Sequence, residues 1–503
     1  MTNPLYDALI APQIDRAAPL LLTDGAEISG AGFAAMAHRF AHALVVLGLE
    51  PGDRMAVQIQ KSPAALALYG AALGAGGVFL PLNTAYTPDE VAYFVENSGA
   101  VLLVCDPSAS ESLGPVAAHH GAAMQTLDGT GDGSLALLAA EQPDSFDPVE
   151  RGRDDLAAIL YTSGTTGRSK GAMLTQANLL DNAQVLVDEW RFTADDVLLH
   201  MLPIFHTRGL FVASNVSLLS GGRMIFLPGF SVERALRWLP RATSMMGVPT
   251  FYTRLLNDSR FDRALTGHMR LFTSGSAPLL AETHRQFQAR TGHRILERYG
   301  MTETNMSTSN PYDGERRAGT VGFPLPGVEL KITDPGTGAE LPQGTPGMIE
   351  VRGHNVFKGY WQMPEKTAEE LRADGFFITG DIGVIDADGY VSIVGRQKDL
   401  IISGGYNIYP KEIELVLDEQ PGVLESAVIG VPHPDFGEAV VAVIVPEAGA
   451  EVTAPALEAA IAPSLARFKQ PKRYEIIPEL PRNTMGKVQK NLLREQFRDS
   501  FTG

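Results

Sequence analysis

Tyr161-Thr-Ser-Gly-Thr-Thr-Gly-Arg-Ser-Lys-Gly171 is the stretch on which the reading of this chain turns. The apolar run Ala158-Ile-Leu-Tyr161 leads into it and reads as a strand opening into a polar, glycine-rich loop. Gly164, Gly167 and Gly171 let a backbone close around an anion without Cβ clashes. Thr162, Ser163, Thr165, Thr166 and the loop N–H groups can donate to phosphate oxygens, and Lys170 adds a point charge. The spacing differs from the G-x-x-x-x-G-K-[ST] nucleotide loop. A bland surface turn would not need so many hydroxyls, glycines and a lysine in eleven residues.

Outward from this loop, short apolar runs alternate with helical patterns. Met55–Ile59, Val101–Val104, Arg223–Leu227 and Ser244–Gly247 read as strands. Such alternation predicts parallel α/β layers. After about residue 320 the pattern becomes apolar/polar, as in Val328–Ile332 and Gly347–Val351, with turns at Asp334-Pro335-Gly336 and Asp388-Gly389. A β-rich subdomain is expected there. Residues 398–503 read as a compact α+β unit, with a helix opening at Pro410 and strands at Ala427–Val431 and Val440–Val445. The expected fold class is therefore α/β. A large N-terminal domain, 1–397, combines α/β layers with a β-rich subdomain, and a small α+β domain, 398–503, follows.

The remaining composition narrows the function. The chain has 503 residues, 45% hydrophobic, and a formal charge of −17. So acidic a surface argues against nonspecific binding to nucleic acid or anionic membrane. An anionic substrate then needs a local basic site. Cys105 is the sole cysteine, so no internal disulfide is possible and a reducing, cytoplasmic setting fits. No basic residue precedes Arg16, so no signal peptide is expected. The uncharged stretch Ser62–Asn83 is interrupted by Gly70, Gly74, Gly76, Gly77 and Pro81, and reads as helix, turn and strand rather than a membrane span.

In its motifs and their order, nearly the whole chain resembles the adenylate-forming superfamily: acyl-CoA synthetases, peptide-synthetase adenylation domains and luciferases. The glycine-rich loop is the first motif. Tyr299-Gly-Met-Thr-Glu-Thr304 resembles the second nucleotide motif. The resemblance implies that Tyr299 stacks on adenine, Thr302 touches a phosphate and Glu303 holds Mg²⁺, with Glu297 beside the nucleotide. Hard-cation chemistry suits a carboxylate there, and a flat base suits an aromatic face. Ser274-Gly-Ser-Ala-Pro278 resembles the adenine-wall loop, giving Ser276, Ala277 and Pro278. Thr379-Gly-Asp381 and Arg396 resemble the ribose site. Lys398 falls at the hinge position. Gly404 and Gly405 in Ser403-Gly-Gly-Tyr-Asn407 would leave room for the pantetheine arm of coenzyme A. Pro481-Arg-Asn-Thr-Met-Gly-Lys487 resembles the C-terminal lysine motif, although many relatives have Ser where Met485 stands. Lys487, Glu303 and Thr302 are the catalytic candidates, with ATP, Mg²⁺ and coenzyme A implied.

For the acid, Glu297-Arg298-Tyr299 places a guanidinium beside the adenine aromatic. Buried and unpaired it would be costly, and a second carboxylate on the substrate would pair with it. The alternative is a structural salt bridge to Glu297 or Glu303. The strings Glu297–Met306 and Pro481–Lys490 resemble those of malonyl-CoA synthetases, which also take methylmalonate. In that subgroup His206 would wall the pocket, Thr207 and Met306 would border the C2 substituent, and Arg254 and Ser276 would lie near the acyl end. Arg208 stands where that subgroup carries histidine. The expected partners are a short dicarboxylic acid, ATP and coenzyme A, plus a lysine acetyltransferase acting on Lys487. Three alternatives stand beside this reading: a synthetase for another short acid, a stand-alone adenylation enzyme loading a carrier protein, and a nonenzymatic nucleotide sensor. No carrier segment follows Lys487 in this sequence, which favours a free thiol acceptor.

Overall fold

The computed structural model describes residues 2–162, 169–275, 279–403, 406–483 and 487–501. Two large sheets form the N-terminal part. One has six strands in the order Ala123–Thr126, Leu102–Cys105, Arg54–Gln58, Val78–Pro81, Leu156–Thr162, Lys170–Thr175. All its pairings are parallel except the last, an antiparallel hairpin across the glycine-rich loop. The other has nine strands, with Leu296–Tyr299, Leu271–Ser274, Ser244–Gly247, Val197–His200, Arg223–Phe226 and Pro19–Leu22 as its parallel centre. The alternating strands and helices read from the sequence are thus a parallel α/β architecture, covered on both faces as such sheets require.

Local chemistry sets the helix ends. Thr87 and Glu90 form a capping box at the start of helix Pro88–Ser98, and Gly99 at φ 60° ends it in the left-handed region that favours glycine. Thr175 and Asn178 cap helix Gln176–Glu189 in the same reciprocal way. The uncharged stretch becomes the buried helix Pro63–Gly74 and strand Val78–Pro81. Among the described residues no helix is long and apolar enough to cross a membrane.

A four-stranded antiparallel sheet follows: Val328–Thr333, Gly347–Gly353, Phe377–Ile385 and Val391–Arg396. One 3₁₀ turn, Gln397–Asp399, links it to the C-terminal unit. That unit has its own apolar core of Ile401, Ile413, Leu417, Val428, Val440, Ile444 and Ile461. Its hairpin strands, Val423–His433 and Gly437–Pro446, outrun the apolar stretches read from sequence, because the ladder continues through polar Glu425 and Ser426. Arg494 clasps Asp399 at 2.7 Å, tying the final helix back to the connecting turn.

Register aligns the site. His200 pairs with Met246, Gly247 with Ser274, and Ser274 with Glu297. The carboxyl ends of these parallel strands therefore share one edge, the place where open α/β sheets bind ligands.

Candidate active site

Three groups of side chains meet along that edge. The first joins the sheet to the antiparallel subdomain. Asp381 and Arg396 are cross-strand partners, and Arg396 Nε lies 2.6 Å from Asp381 Oδ1. Tyr299 donates from its hydroxyl to Asp381 Oδ2 at 2.7 Å. Burial and the Asp381 carboxylate raise the tyrosine pKa, so the half-buried Tyr299 stays a neutral donor. The Thr379 hydroxyl accepts from the Asp381 N–H at 3.0 Å and holds the backbone that carries the carboxylate. Lys487 belongs to this group electrostatically. The residue as a whole is exposed, yet enough protein surrounds its ammonium that lost hydration first, and Arg396 second, push it down to about 8. The lysine backbone is held by Asn483, whose Oδ1 accepts from the Lys487 N–H at 3.0 Å. Lys398, in the connecting turn, is also pushed down, chiefly by burial.

The second group surrounds Glu303. This carboxyl is buried, and burial raises its pKa. Tyr360 Oη sits 3.0 Å from Glu303 Oε1 and 2.6 Å from Glu370 Oε2. Lys170 Nζ contacts both oxygens of Glu370, at 3.0 and 3.1 Å, and lies 4.2 Å from the Tyr360 ring centroid. Among the described residues no three His, Cys, Asp or Glu side chains gather as a metal cage. The Glu303 carboxylate, within the field of Lys170, nonetheless supplies the oxygen-donor chemistry that suits Mg²⁺. That ion takes one or two protein carboxylates and fills its shell with phosphate and water.

The third group is a buried cluster around two arginines, Arg298 and Arg208. Arg298 is only 2% exposed, and its Nε, Nη1 and Nη2 have no hydrogen-bond partner among the described residues. Successive strand side chains leave on opposite faces, so Arg298 points away from Glu297. Glu297 instead faces His284, with Oε1 3.5 Å from Nδ1, and accepts from the Gly319 N–H at 3.3 Å. The structural salt bridge to Glu297 or Glu303 is absent. The Arg298 guanidinium packs on Gly275, where a Cβ would come within 2.3 Å of Nη1. Burial pulls its pKa down to about 10. Arg208 comes close enough that Arg298, after burial, depresses its pKa too, and Arg208 Nη2 reaches Gly300 O at 3.5 Å. His206 is pushed down to about 4 by burial and Arg208, so it is neutral, and its Nε2 lacks a partner. Thr207 is buried with an unpartnered Oγ1, and Met306 is fully buried. Asn182 holds Met306 in place through its backbone, at 2.9 and 3.2 Å. His206 and Thr302 line one small cavity with Tyr161 and Asn83.

Arg254, expected near the acyl end, is exposed in the last turn of helix Pro249–Leu256, while Tyr252 on the same helix packs inward. Ser163, Gly164, Thr165, Thr166, Gly167, Ser276, Ala277, Pro278, Gly404 and Gly405 lie outside the described residues. Thr162 ends its strand, with its hydroxyl 3.4 Å from Lys170 O. Sequence reasoning missed Tyr360 and Glu370. Glu370 sits in an acidic helical run that reads as a solvated face, and no local signal links it to Lys170 two hundred residues earlier.

The family model for AMP-binding enzymes matches residues 10–361, and that for the AMP-binding enzyme C-terminal domain matches 412–487. ATP-bound MatB from Rhodopseudomonas palustris is 57% identical, covers 100% of both chains and superposes with a TM-score of 0.98. The apo form of that protein gives 0.88, so the arrangement here follows the ATP-bound form more closely. The malonate–CoA ligase of Arabidopsis thaliana is 38% identical, over 84% of this chain and 74% of that one. A feruloyl-CoA synthase of Amycolatopsis sp is 37% identical, over 91% and 92%. On motif order, fold and these matches together, the chain belongs to the family of AMP-binding enzymes.

Proposed function

We propose that this protein joins malonate to coenzyme A through a malonyl-adenylate, with methylmalonate as a second substrate. The observation that carries the acid assignment is Arg298: a buried guanidinium with three unpartnered nitrogens demands an anion. Feruloyl-CoA synthase and malonate–CoA ligase relatives match this chain almost equally well, so overall identity does not choose the acid. The pocket chemistry favours a second carboxylate, which would pair with the Arg298 fork bidentately. Thr207 and Met306 then limit bulk at C2, and neutral His206 walls the pocket.

In the first half-reaction a carboxylate oxygen attacks the α-phosphorus of ATP, and pyrophosphate leaves. The glycine-rich loop and Lys170 would bind phosphates, with Thr302 touching one. Tyr299 and the loop at Ser276–Pro278 would flank adenine, with Glu297 near it, and Asp381 with Arg396 would take the ribose hydroxyls. Lys487 would stabilise charge between the carboxylate and the α-phosphate. Glu303 is the residue that would hold Mg²⁺, which screens phosphate charge when bound. In the second half-reaction the coenzyme A sulfur attacks the acyl carbon, its proton is lost, and AMP leaves. We place the domain boundary at 397/398, with Lys398 as pivot and the Gly404-Gly405 turn facing pantetheine after rotation. Acetylation of Lys487 would remove its charge and block the first step. One buried cysteine and this soluble-type surface favour a cytoplasmic setting.

The test is AMP release with coenzyme A across malonate, methylmalonate, succinate, acetate, propionate and benzoate. Malonate should lead, with methylmalonate next. Preference for benzoate or acetate would overturn the assignment. Acid-independent pyrophosphate release, or none with any acid, would favour a different class.

A further inference from the structure

We propose that Lys61 and His200 form a buried clamp that positions the acid-recognition segment His206–Arg208. The inference rests on reading that segment as the wall of the acid pocket. Lys61 is 7% exposed, and its ammonium has no carboxylate partner among the described residues. It lies 2.8 Å from His200 Nδ1, 2.9 Å from His200 O and 2.9 Å from Leu202 O, above the Phe226 ring at 4.3 Å. On its other side, His200 Nε2 lies 2.9 Å from Gly209 O. Ser214 Oγ donates to the same carbonyl at 2.9 Å.

Gly209 O can only accept, so His200 Nε2 must carry hydrogen. In the neutral ring Nδ1 then accepts from the lysine, whose three hydrogens satisfy three acceptors. Moving that proton onto Nδ1 leaves the amine accepting one bond and donating two. Either way the pair holds one positive charge with every polar site satisfied. Such an arrangement is costly to bury and has no apolar substitute while these carbonyls stay buried.

Its geometry spans one loop. Lys61 grips the backbone at His200 and Leu202, and His200 grips it again at Gly209. The loop between closes so tightly that a Cβ at Gly209 would stand 1.9 Å from Pro203 O. Held at both ends, the segment carries His206 Nε2 and Thr207 Oγ1, which are themselves without partners. These are donors and acceptors kept in place without being used up. Lys61 and His200 are thus positioning residues.

Three variants test this. Lys61→Met removes the three donors at similar volume, and Lys61→Gln restores part of the donation. In Lys61→Met the KM for malonate should rise at least about tenfold while the KM for ATP stays within about twofold. Lys61→Gln should fall between Lys61→Met and wild type. Hydrogen exchange at residues 203–210 should quicken in His200→Gln, where the lysine bonds to the carbonyls persist. If Lys61→Met does not fold, that exchange and the malonate KM of His200→Gln decide. A loss confined to kcat and Tm, with the malonate KM and exchange unchanged, overturns the clamp. If the wild type prefers another acid, the KM for that acid is the readout, so failure of the malonate assignment remains separate.

Discussion

Replacing Arg298 with methionine should move stability and activity in opposite directions. The guanidinium is fully enclosed, and its charged form is held down to about 10. Against its ordinary value this corresponds to roughly 3 kcal/mol of unfavourable burial in the free enzyme. The three nitrogens find no partner among the described residues, and unsatisfied buried donors each cost about 1–3 kcal/mol. Methionine fills much of the same volume without those demands. Ligand-free Arg298→Met should therefore unfold at a temperature equal to or above that of wild type. With malonate the sign reverses. Truncating one side of a buried, hydrogen-bonded charge pair costs about 2–5 kcal/mol, so kcat/KM for malonate should drop about thirtyfold to several thousandfold. The KM for ATP should stay within about threefold, because Tyr299, Asp381 and Arg396 make their contacts elsewhere. Thermal melts with and without malonate, beside AMP release, give both readings. A variant that melts well below wild type yet keeps malonate kcat/KM within about threefold would refute the argument, making Arg298 a packing residue.

Lys487→Ala should lose about 10²–10³-fold or more in malonate-dependent pyrophosphate release while still converting supplied malonyl-adenylate and coenzyme A. Equal loss in both half-reactions would end that division of labour. The Lys487 ammonium is the working form and is pushed down to about 8, so kcat/KM for pyrophosphate release should hold below that pH and fall above it. His206, at about 4, contributes no change between pH 6 and 9, and a profile flat to pH 10 would contradict the lysine's role. Thr207→Gly should raise the kcat/KM for ethylmalonate relative to malonate, by an amount near the 1–3 kcal/mol that one methylene is worth in a tight pocket. An unchanged ranking would place Thr207 away from C2.

Much of the fold was legible before the structure. Periodicity alone carries the parallel strands, because a strand buried on both faces must be a short apolar run between helices. Ser244–Gly247 falls on its expected residues, and the others within one or two. Capping pairs such as Thr87 with Glu90 are equally local, being three residues apart by necessity. The site was legible as motifs but not as partnerships. Sequence left Arg298 open to pairing with Glu297 or Glu303, and strand geometry turned it from Glu297 toward Gly275.

What the sequence determined by itself is the chemistry that depends on neighbours in the chain: apolar strands, a glycine- and hydroxyl-rich stretch after one of them, and an arginine, Arg298, directly before Tyr299. What only the tertiary structure decided is which distant groups share a site. Lys170 meets Glu370, Lys61 meets His200, and Arg208 approaches Arg298. Local propensity acts over a few residues, whereas these meetings depend on the order and register of strands in closed sheets. Register brings remote carboxyl ends to one edge, and there burial decides which of these groups is paired by the protein, as Lys61 is, and which is left without a partner, as Arg298 is.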